Sequence, residues 1–132
     1  MGAGEFYNCR DVSYNEKKEL AMNEEIAKNL SGIWYLATSE GEQPHVRPMD
    51  SATVVGEKVY FGTAKDKNVY QQMVANPKVE VFAMTDFGIY RFMAEVEAET
   101  DAEITKRAFE QMGKAFDSEK SVAMSFEKVQ KV

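Results

Sequence analysis

The amino-acid sequence predicts a mainly β protein, in which about six antiparallel strands close into a barrel with two to three helices at its side. Three observations support this fold class. Short segments rich in β-branched and aromatic residues are separated by tight turn signals, residues 89–99 alternate between apolar and polar side chains, and apolar residues recur at helical spacing in three segments. Barrel closure would remove the unpaired strand edges that promote aggregation.

Length and charge limit the classes of function. The chain has 132 residues, which predicts one domain, small enough that a large ligand would need walls from a second subunit. Its net charge of −6 argues against a broad nucleic-acid surface, because such surfaces carry clustered Lys and Arg. Any site for an anion must therefore be local.

Cysteine usage and hydropathy indicate a cytoplasmic protein with no membrane segment. Cys9 is the single cysteine, so no intramolecular disulfide can form, which fits a reducing compartment. No run of about 18 apolar residues exists, and the N-terminus lacks the apolar stretch of a signal peptide.

The first part of the chain predicts an extension over residues 1–21, partly of vector origin or from an alternative translation start. Met22 resembles a natural start, since a helical pattern follows it at once. The domain itself is then expected over residues 22–132. A first helix is predicted over residues 16–30, with Asn23 as a possible N-cap and Ser31-Gly32 as its end.

Two β-hairpins follow this helix. Four segments have the composition of strands, over residues 33–38, 43–49, 51–55 and 58–63. The turn at Gly41 joins the first pair of strands. Gly56 joins the second pair, and glycine at this position suits the mirror-image turn that matches strand twist.

Two further helices are predicted among the later strands. Asp66 is expected to cap a short helix that ends at Asn76-Pro77, with one apolar face formed by Val69, Tyr70, Met73 and Val74. Strands are predicted over residues 78–84, 89–99 and 121–129. The spacing from Thr100 to Glu103 is that of a capping box and predicts a helix over residues 101–115.

Several kinds of catalytic or metal site find no support in the sequence. His45 is the only histidine, so a cage of histidines for a metal is impossible and no metal site is predicted. No glycine-rich phosphate signature of the Walker or dinucleotide type occurs. Glu95 and Glu97 lie on the polar face of a predicted strand, where a solvated edge explains them better than acid catalysis does.

A possible anion site remains, formed by two segments close in sequence. Arg47 on a strand offers a planar cationic fork, Lys67 offers a point charge, Thr63 a hydroxyl, and the amides after Asp66 the positive end of a helix. The alternative is that Arg47, Lys65 and Lys67 are scattered surface charges. Spacing alone leaves both interpretations open.

The chain resembles the pyridoxamine 5′-phosphate oxidase-related flavoproteins, which have the FMN-binding split-barrel fold. The resemblance spans roughly residues 22–115 and consists of several short motifs in the family's order. These motifs occupy residues 36–38, 41–49, 59–63, 67–73 and 75–79.

The resemblance implies a homodimer that binds FMN at its subunit interface. Arg47 matches the strand arginine that holds the phosphate, and Lys67-Asn68 matches the pair at the start of the short helix. Pro48 and Met49 would run along the isoalloxazine ring, with His45 near it. The cofactor-binding residues implied in this way are His45, Arg47, Pro48, Met49, Gly62, Thr63, Lys67 and Asn68.

An FMN-dependent oxidoreductase acting on a small molecule, with NAD(P)H as a candidate electron donor, is the predicted function. The cofactor would supply the chemistry, so no side-chain nucleophile is required. True pyridoxamine phosphate oxidase activity is not expected, because the basic, tryptophan-containing C-terminal segment of those enzymes has no counterpart here. The alternative is a non-catalytic module that binds or senses a flavin, a haem or a deazaflavin, and a haem would require His45 as its axial ligand.

Overall fold

A computed structural model describes residues 12–132, which form three helices and seven strands in one sheet. The elements in chain order are α1 Val12–Asn29, β1 Ile33–Glu40, β2 Gln43–Asp50, β3 Thr53–Val55, β4 Lys58–Ala64, α2 Asn68–Ala75, β5 Lys78–Thr85, β6 Gly88–Ala98, α3 Ala102–Gln111 and β7 Ser121–Lys131. Every strand pair is antiparallel, and the strand order is β2-β1-β5-β6-β7-β4-β3. The mainly β, antiparallel fold class is confirmed, and each of the seven segments predicted as strands forms one, which is one more than the expected total of about six.

The sheet is open, which corrects the expected closure by hydrogen bonds. Strands β2 and β3 are its two edges, and each pairs with one neighbour only. The short β3 has three residues, and β2 contains Pro44 and Pro48, which lack the N–H donor that a central strand needs. Both edges are therefore suited to remain unpaired, and the architecture is that of a split barrel.

The core is built from large aromatic side chains that the alternation of the strands turns inward. The Trp34 ring lies 5.3 Å from that of Phe61, and Phe126 lies 5.0 Å from Phe61 and 5.1 Å from Phe92, measured between ring centroids. The indole Nε1 of Trp34 donates to the carbonyl of Ser51 at 3.1 Å, so burial leaves this polar atom satisfied. The predicted inward face of residues 89–99 is confirmed, since its central apolar residues are buried.

Helix α1 begins earlier than predicted, and Asn23 is not its N-cap. The helix runs from Val12 to Asn29 and passes through residue 21 without a break. Residues 16–21 are almost all strong helix formers, so the helix continues through the expected cap. The side-chain amide of Asn23 instead donates to the carbonyl of Glu57 at 2.7 Å. The division of the chain after residue 21 stays a prediction.

Helix α2 has a different cap and a different buried face from those predicted. Lys67 occupies the N-cap position without a side-chain hydrogen bond, and Asp66 lies 3.7 Å from Lys120 as an ion pair. Val69 and Met73 are buried as expected, but Val74 is 62% exposed and Gln72 is buried in its place. The predicted end at residues 76–77 is confirmed, because Asn76 is the C-cap.

Helix α3 is shifted from the predicted capping box and is shorter than expected. Asp101, rather than Thr100, caps it by accepting a hydrogen bond from the backbone N–H of Glu103 at 2.9 Å. The helix ends at Gln111, because Gly113 takes a positive φ of 69° and turns the chain away. Within residues 12–132, no helix is both long and apolar enough to cross a membrane.

Candidate functional site

A cleft of about 360 Å³ lies between the second half of β2, the end of β4, the start of α2 and the loop after α3. This volume falls in the lower part of the range of small-molecule sites. The residues that line the cleft are Ile33, Arg47, Pro48, Met49, Asp50, Gly62, Thr63, Lys67, Val69 and Lys114. Six of the eight predicted site residues are therefore brought together, and the exceptions are His45 and Asn68.

The Arg47 guanidinium is held in place by neutral oxygen atoms. Nη1 donates to the carbonyl of Leu36 at 3.2 Å and to Oγ1 of Thr38 at 2.8 Å, and Nη2 donates to Oε1 of Gln72 at 2.7 Å. Arginine has five N–H donors in a fixed plane. Nε–H and one N–H of Nη2 therefore remain without an acceptor among residues 12–132.

The charge of Arg47 is not balanced by a carboxylate. No Asp or Glu in the described part of the chain lies within ion-pair distance of it, although the side chain is half-buried. Burial lowers the pKa of Arg47, but an arginine remains protonated at physiological pH. A half-buried cation with free, oriented donors is an arrangement suited to an anionic ligand.

Thr63 contributes a second polar group that lacks a partner. Its side chain is 8% exposed, and its hydroxyl Oγ1 makes no hydrogen bond to any of the described residues. A buried hydroxyl without a partner is uncommon and calls for an explanation such as a ligand or an ordered water. Because Thr63 lines the same cleft as Arg47, both groups can serve one ligand.

The start of α2 adds positive charge to the cleft. Lys67 lines the cleft and forms no ion pair within the ranges that the structure describes. No side chain caps the helix, so the first N–H groups of α2 remain available to an acceptor. A helix N-terminus favours an anion through these amides and through its dipole.

Apolar side chains also line the cleft, which borders an edge of the sheet. Ile33, Pro48, Met49 and Val69 provide its apolar surface. Since β2 is an edge strand, the backbone groups on its outer side have no strand partner. The cleft thus combines cationic groups with apolar side chains and, along β2, with free backbone groups.

Lys114 and its partner Asp50 were not identified from the sequence. The ammonium of Lys114 forms an ion pair with the Asp50 carboxylate, and both residues line the cleft. Lys114 reaches this position because α3 ends at Gln111, whereas the predicted helix continued to residue 115. Gly113 is the sequence signal that could have revealed the earlier end of the helix.

Gly62 has a packing role as well as a place in the cleft. A Cβ atom at this position would lie 2.9 Å from Cζ of Phe109, which is closer than side chains normally approach. Phe109 belongs to α3 and is buried. Glycine at position 62 therefore allows α3 to pack closely on β4.

His45 and Asn68 lie outside the lining of the cleft. Nε2 of His45 is buried and lies 3.3 Å from the Glu40 carboxylate, without the geometry of a hydrogen bond. Asn68 lines a neighbouring pocket beside Gln71. Their assignment to a cofactor stays a prediction. In residues 12–132, no group of three or more His, Cys, Asp or Glu side chains is placed to hold a metal ion.

The sequence model of the family described as pyridoxamine 5′-phosphate oxidase matches residues 22–131. The chain belongs to this family. The match includes all seven strands and every residue that lines the cleft. The resemblance drawn from short motifs is thereby confirmed. No curated protein matches the chain.

Solved structures agree with membership of the pyridoxamine 5′-phosphate oxidase family. A NimC/NimA family protein from Clostridium acetobutylicum is 28% identical with a TM-score of 0.74, and the match covers 82% of this chain and 84% of that protein. A candidate pyridoxamine 5′-phosphate oxidase from Listeria innocua is 22% identical with a TM-score of 0.61, covering 89% and 98%. An F420 reductase is 15% identical with a TM-score of 0.58, covering 80% and 94%. The last two likenesses show the fold alone.

Proposed function

We propose that this member of the pyridoxamine 5′-phosphate oxidase family is an FMN-dependent oxidoreductase that binds FMN in the cleft as a homodimer. The observation that carries the proposal is the Arg47 guanidinium, which is oriented by neutral oxygens and has no carboxylate partner among residues 12–132. Membership of the family supports a flavin as the ligand.

The cationic groups of the cleft fit a phosphate monoester. Such a group carries about −1.5 to −2 charges at pH 7 and offers three acceptor oxygens. The free Nε–H and Nη2–H of Arg47 can bind two oxygens at once, and Lys67 supplies a second positive charge. The unpartnered hydroxyl of Thr63 would gain a hydrogen bond that it lacks within the described chain.

The apolar side chains of the cleft fit the ring of a flavin. Ile33, Pro48 and Met49 provide a surface for an aromatic system, and the outer backbone groups of β2 can bond its polar edge. Bound FMN would supply the electron-transfer chemistry, while the protein orients the ring and limits its contact with water. Lys114, in its ion pair with Asp50, also lines the cleft, where its ammonium group can influence the ring.

A second copy of the chain would complete the cleft. Ile33, which is 59% exposed, shares the outer face of the β1–β2 pair with Tyr35, Pro48 and Val46, because Tyr35 pairs with Pro48 in the register of the two strands. Two of these residues, Ile33 and Pro48, also line the cleft. Covering them with an identical face would bury them and enclose the ring.

The cofactor is tested first by the visible spectrum of the purified protein and then by titration with FMN and with riboflavin. Arg47→Ala is expected to weaken FMN binding by about 1.5–3 kcal/mol, the contribution of a charge-assisted hydrogen bond, and to leave riboflavin affinity nearly unchanged. Lys65→Ala is the matched control, because Lys65 lies outside this cleft. Equal losses for FMN and riboflavin in Arg47→Ala would show that this residue does not bind phosphate.

The dimer is tested by sedimentation with and without FMN. Val46→Glu should shift the protein towards monomer and weaken FMN, because a charge on the apolar face opposes its burial. A stable dimer with unchanged FMN affinity in Val46→Glu would argue against an interface at this face.

Turnover separates an enzyme from a flavin sensor. We also propose a cytoplasmic location, where NADH and NADPH are available as electron donors. Bleaching of the bound flavin by either donor under anaerobic conditions would support an oxidoreductase. Stable, oxidised FMN in the presence of both donors would instead support a sensor.

Deazaflavin and haem are the alternative ligands to be tested. The likeness to an F420 reductase makes the deazaflavin F420 the second probe in the same titration. Haem is disfavoured by the position of His45, the only histidine of the chain, because it lies outside the cleft lining. A Soret band in the purified protein would overturn this preference.

A further inference from the structure

We infer that Gln72 and Thr38 are positioning residues, which hold the Arg47 guanidinium ready for a phosphate without neutralising it and thereby set the preference for a phosphorylated flavin. This inference rests on the FMN site proposed above and names what makes that site selective. Neither residue lines the cleft itself.

The three side chains form a closed triangle of hydrogen bonds. Thr38 Oγ1 donates to Oε1 of Gln72 at 2.6 Å, while Arg47 donates through Nη2 to the same Oε1 at 2.7 Å and through Nη1 to Thr38 Oγ1 at 2.8 Å. Thr38 is 2% exposed and Gln72 is 7% exposed. The triangle brings together strand β1, strand β2 and helix α2.

The direction of each bond in the triangle is fixed. Oε1 of Gln72 faces Nη2 of Arg47, which can only donate, so turning the amide over would place its NH₂ group against another donor. The hydroxyl of Thr38 gives its one proton to Gln72 and therefore meets Arg47 with a lone pair. These hydrogen bonds hold the guanidinium on the side facing Thr38 and Gln72, so its remaining N–H groups keep one orientation.

The chemistry of the partners decides what the arginine can do. A carboxylate at position 72 would bind the guanidinium more strongly but would cancel its charge. A hydrocarbon there would leave buried donors of Arg47 and Thr38 unpaired. A neutral amide orients the cation and preserves its charge, which is what recognition of an anionic ligand requires.

The position of Gln72 on its helix adds a second argument. It is the single polar residue among the three buried residues of α2, where it stands with Val69 and Met73. Burying an amide on this face is unfavourable unless the amide is hydrogen-bonded. Its bonds here go to the cation at the cleft and to the threonine that holds the same cation.

The test compares dissociation constants for FMN and riboflavin in four proteins: wild type, Gln72→Glu, Gln72→Met and Gln71→Glu. Gln72→Glu keeps the shape of the side chain and adds a competing carboxylate, so we expect the preference for FMN over riboflavin to fall about tenfold or more. Gln72→Met should reduce the preference less, because it releases the guanidinium without neutralising it. Gln71→Glu adds the same charge on an exposed position of the same helix and should leave the preference within about twofold.

Thr38→Ser and Thr38→Val are a second, independent pair of variants. They test the same inference if the variants at position 72 do not fold. Thr38→Ser retains the hydroxyl and should retain the preference, whereas Thr38→Val should lower it with little change in riboflavin affinity. A role in folding alone would lower the affinities for both flavins equally.

The outcomes distinguish this inference from the proposed function. A wild type that prefers FMN, together with the same preference in Gln72→Glu and Thr38→Val, would overturn the positioning role and leave the FMN site standing. A wild type that binds FMN and riboflavin equally would overturn the phosphate site and, with it, this inference. A selective loss of FMN affinity in Gln72→Glu, absent from Gln71→Glu, would support the inference.

Discussion

Replacing Thr63 by valine should stabilise the ligand-free protein while it weakens the binding of FMN. The hydroxyl of Thr63 is buried and makes no hydrogen bond within residues 12–132. A buried polar group without a partner costs about 1–3 kcal/mol, and valine has nearly the same shape without that group. We therefore expect the free energy of unfolding of Thr63→Val to rise by about 1–2 kcal/mol, which corresponds to roughly 3–6 °C in Tm for a domain of this size.

The same substitution at Thr38 is the matched control and should have the opposite effect. Thr38 is also buried, but its hydroxyl donates to Gln72 and accepts from Arg47. Thr38→Val leaves a donor of the guanidinium unpaired and should lower the free energy of unfolding by about 1–3 kcal/mol. The same Thr→Val change is thus expected to raise the free energy of unfolding at position 63 and to lower it at position 38.

Urea unfolding of the FMN-free proteins at one fixed protein concentration measures both effects, since dimer formation would make the midpoint depend on concentration. Titration with FMN then measures the loss of binding in Thr63→Val, expected at about 0.5–1.5 kcal/mol for a neutral hydrogen bond. The reasoning would be refuted if Thr63→Val destabilised the free protein as much as Thr38→Val does, because that result would mean the Thr63 hydroxyl already has a partner.

Three further predictions concern packing, pH and charge. Gly62→Ala should lower the free energy of unfolding by about 1–3 kcal/mol, because the new Cβ would lie 2.9 Å from the Phe109 ring. Adding Phe109→Leu to this variant should restore part of the lost stability, as measured by thermal melting. Strictly additive losses of stability would speak against a clash. The Tyr60 hydroxyl donates to Glu99 at 2.6 Å and lowers the pKa of this carboxyl. The hydrogen bond therefore stabilises the fold at pH values above about 4.3, the pKa of a glutamate in the unfolded chain. This contribution is lost as the pH falls through the lower pKa of Glu99 in the folded protein. Tyr60→Phe should therefore be less stable than wild type at pH 6, and the difference in urea midpoint should shrink towards pH 3; a difference that does not change with pH would contradict this. Lys114→Met removes a positive charge from the cleft and should lower the reduction potential of bound FMN, measured against redox dyes, whereas an unchanged potential would place Lys114 away from the ring.

The fold class was predictable because the strands carry strong local signals. Alternation over residues 89–99 fixes which side chains face the core, and the two glycine turns define the hairpins around them. The open edges of the sheet were harder to predict, because closure of a barrel depends on how distant strands meet rather than on the residue pattern within each strand. The prolines of β2 were available as a sign of an edge strand.

The candidate site was predictable where its residues follow one another along the chain. Arg47, Pro48 and Met49 lie on β2, and Thr63 and Lys67 stand shortly before α2, so each group could be recognised from its own segment. Strands β2 and β4 are not neighbours in the sheet, so it is the tertiary fold that brings the two groups to one cleft. Tertiary contacts decided the remaining positions.

Two errors show the limit of local signals. Gln72 is buried rather than Val74 because its partners, Thr38 and Arg47, are 34 and 25 residues away in sequence. Asn23 has the residue type of a cap but lies within a helix that good helix formers extend towards the N-terminus.

The prolines in β2 also determine how two copies of the chain can meet. An edge proline directs its nitrogen away from the neighbouring strand, and residues 44, 46 and 48 share that outward side of β2. The same alternation places Asp50 on this side, so two of the four amide positions along this rim have no hydrogen to donate, and a strand from another molecule could pair with it only incompletely. Association through a shared, continuous sheet is disfavoured, and copies of the protein are left to join through side chains, which keeps the assembly finite.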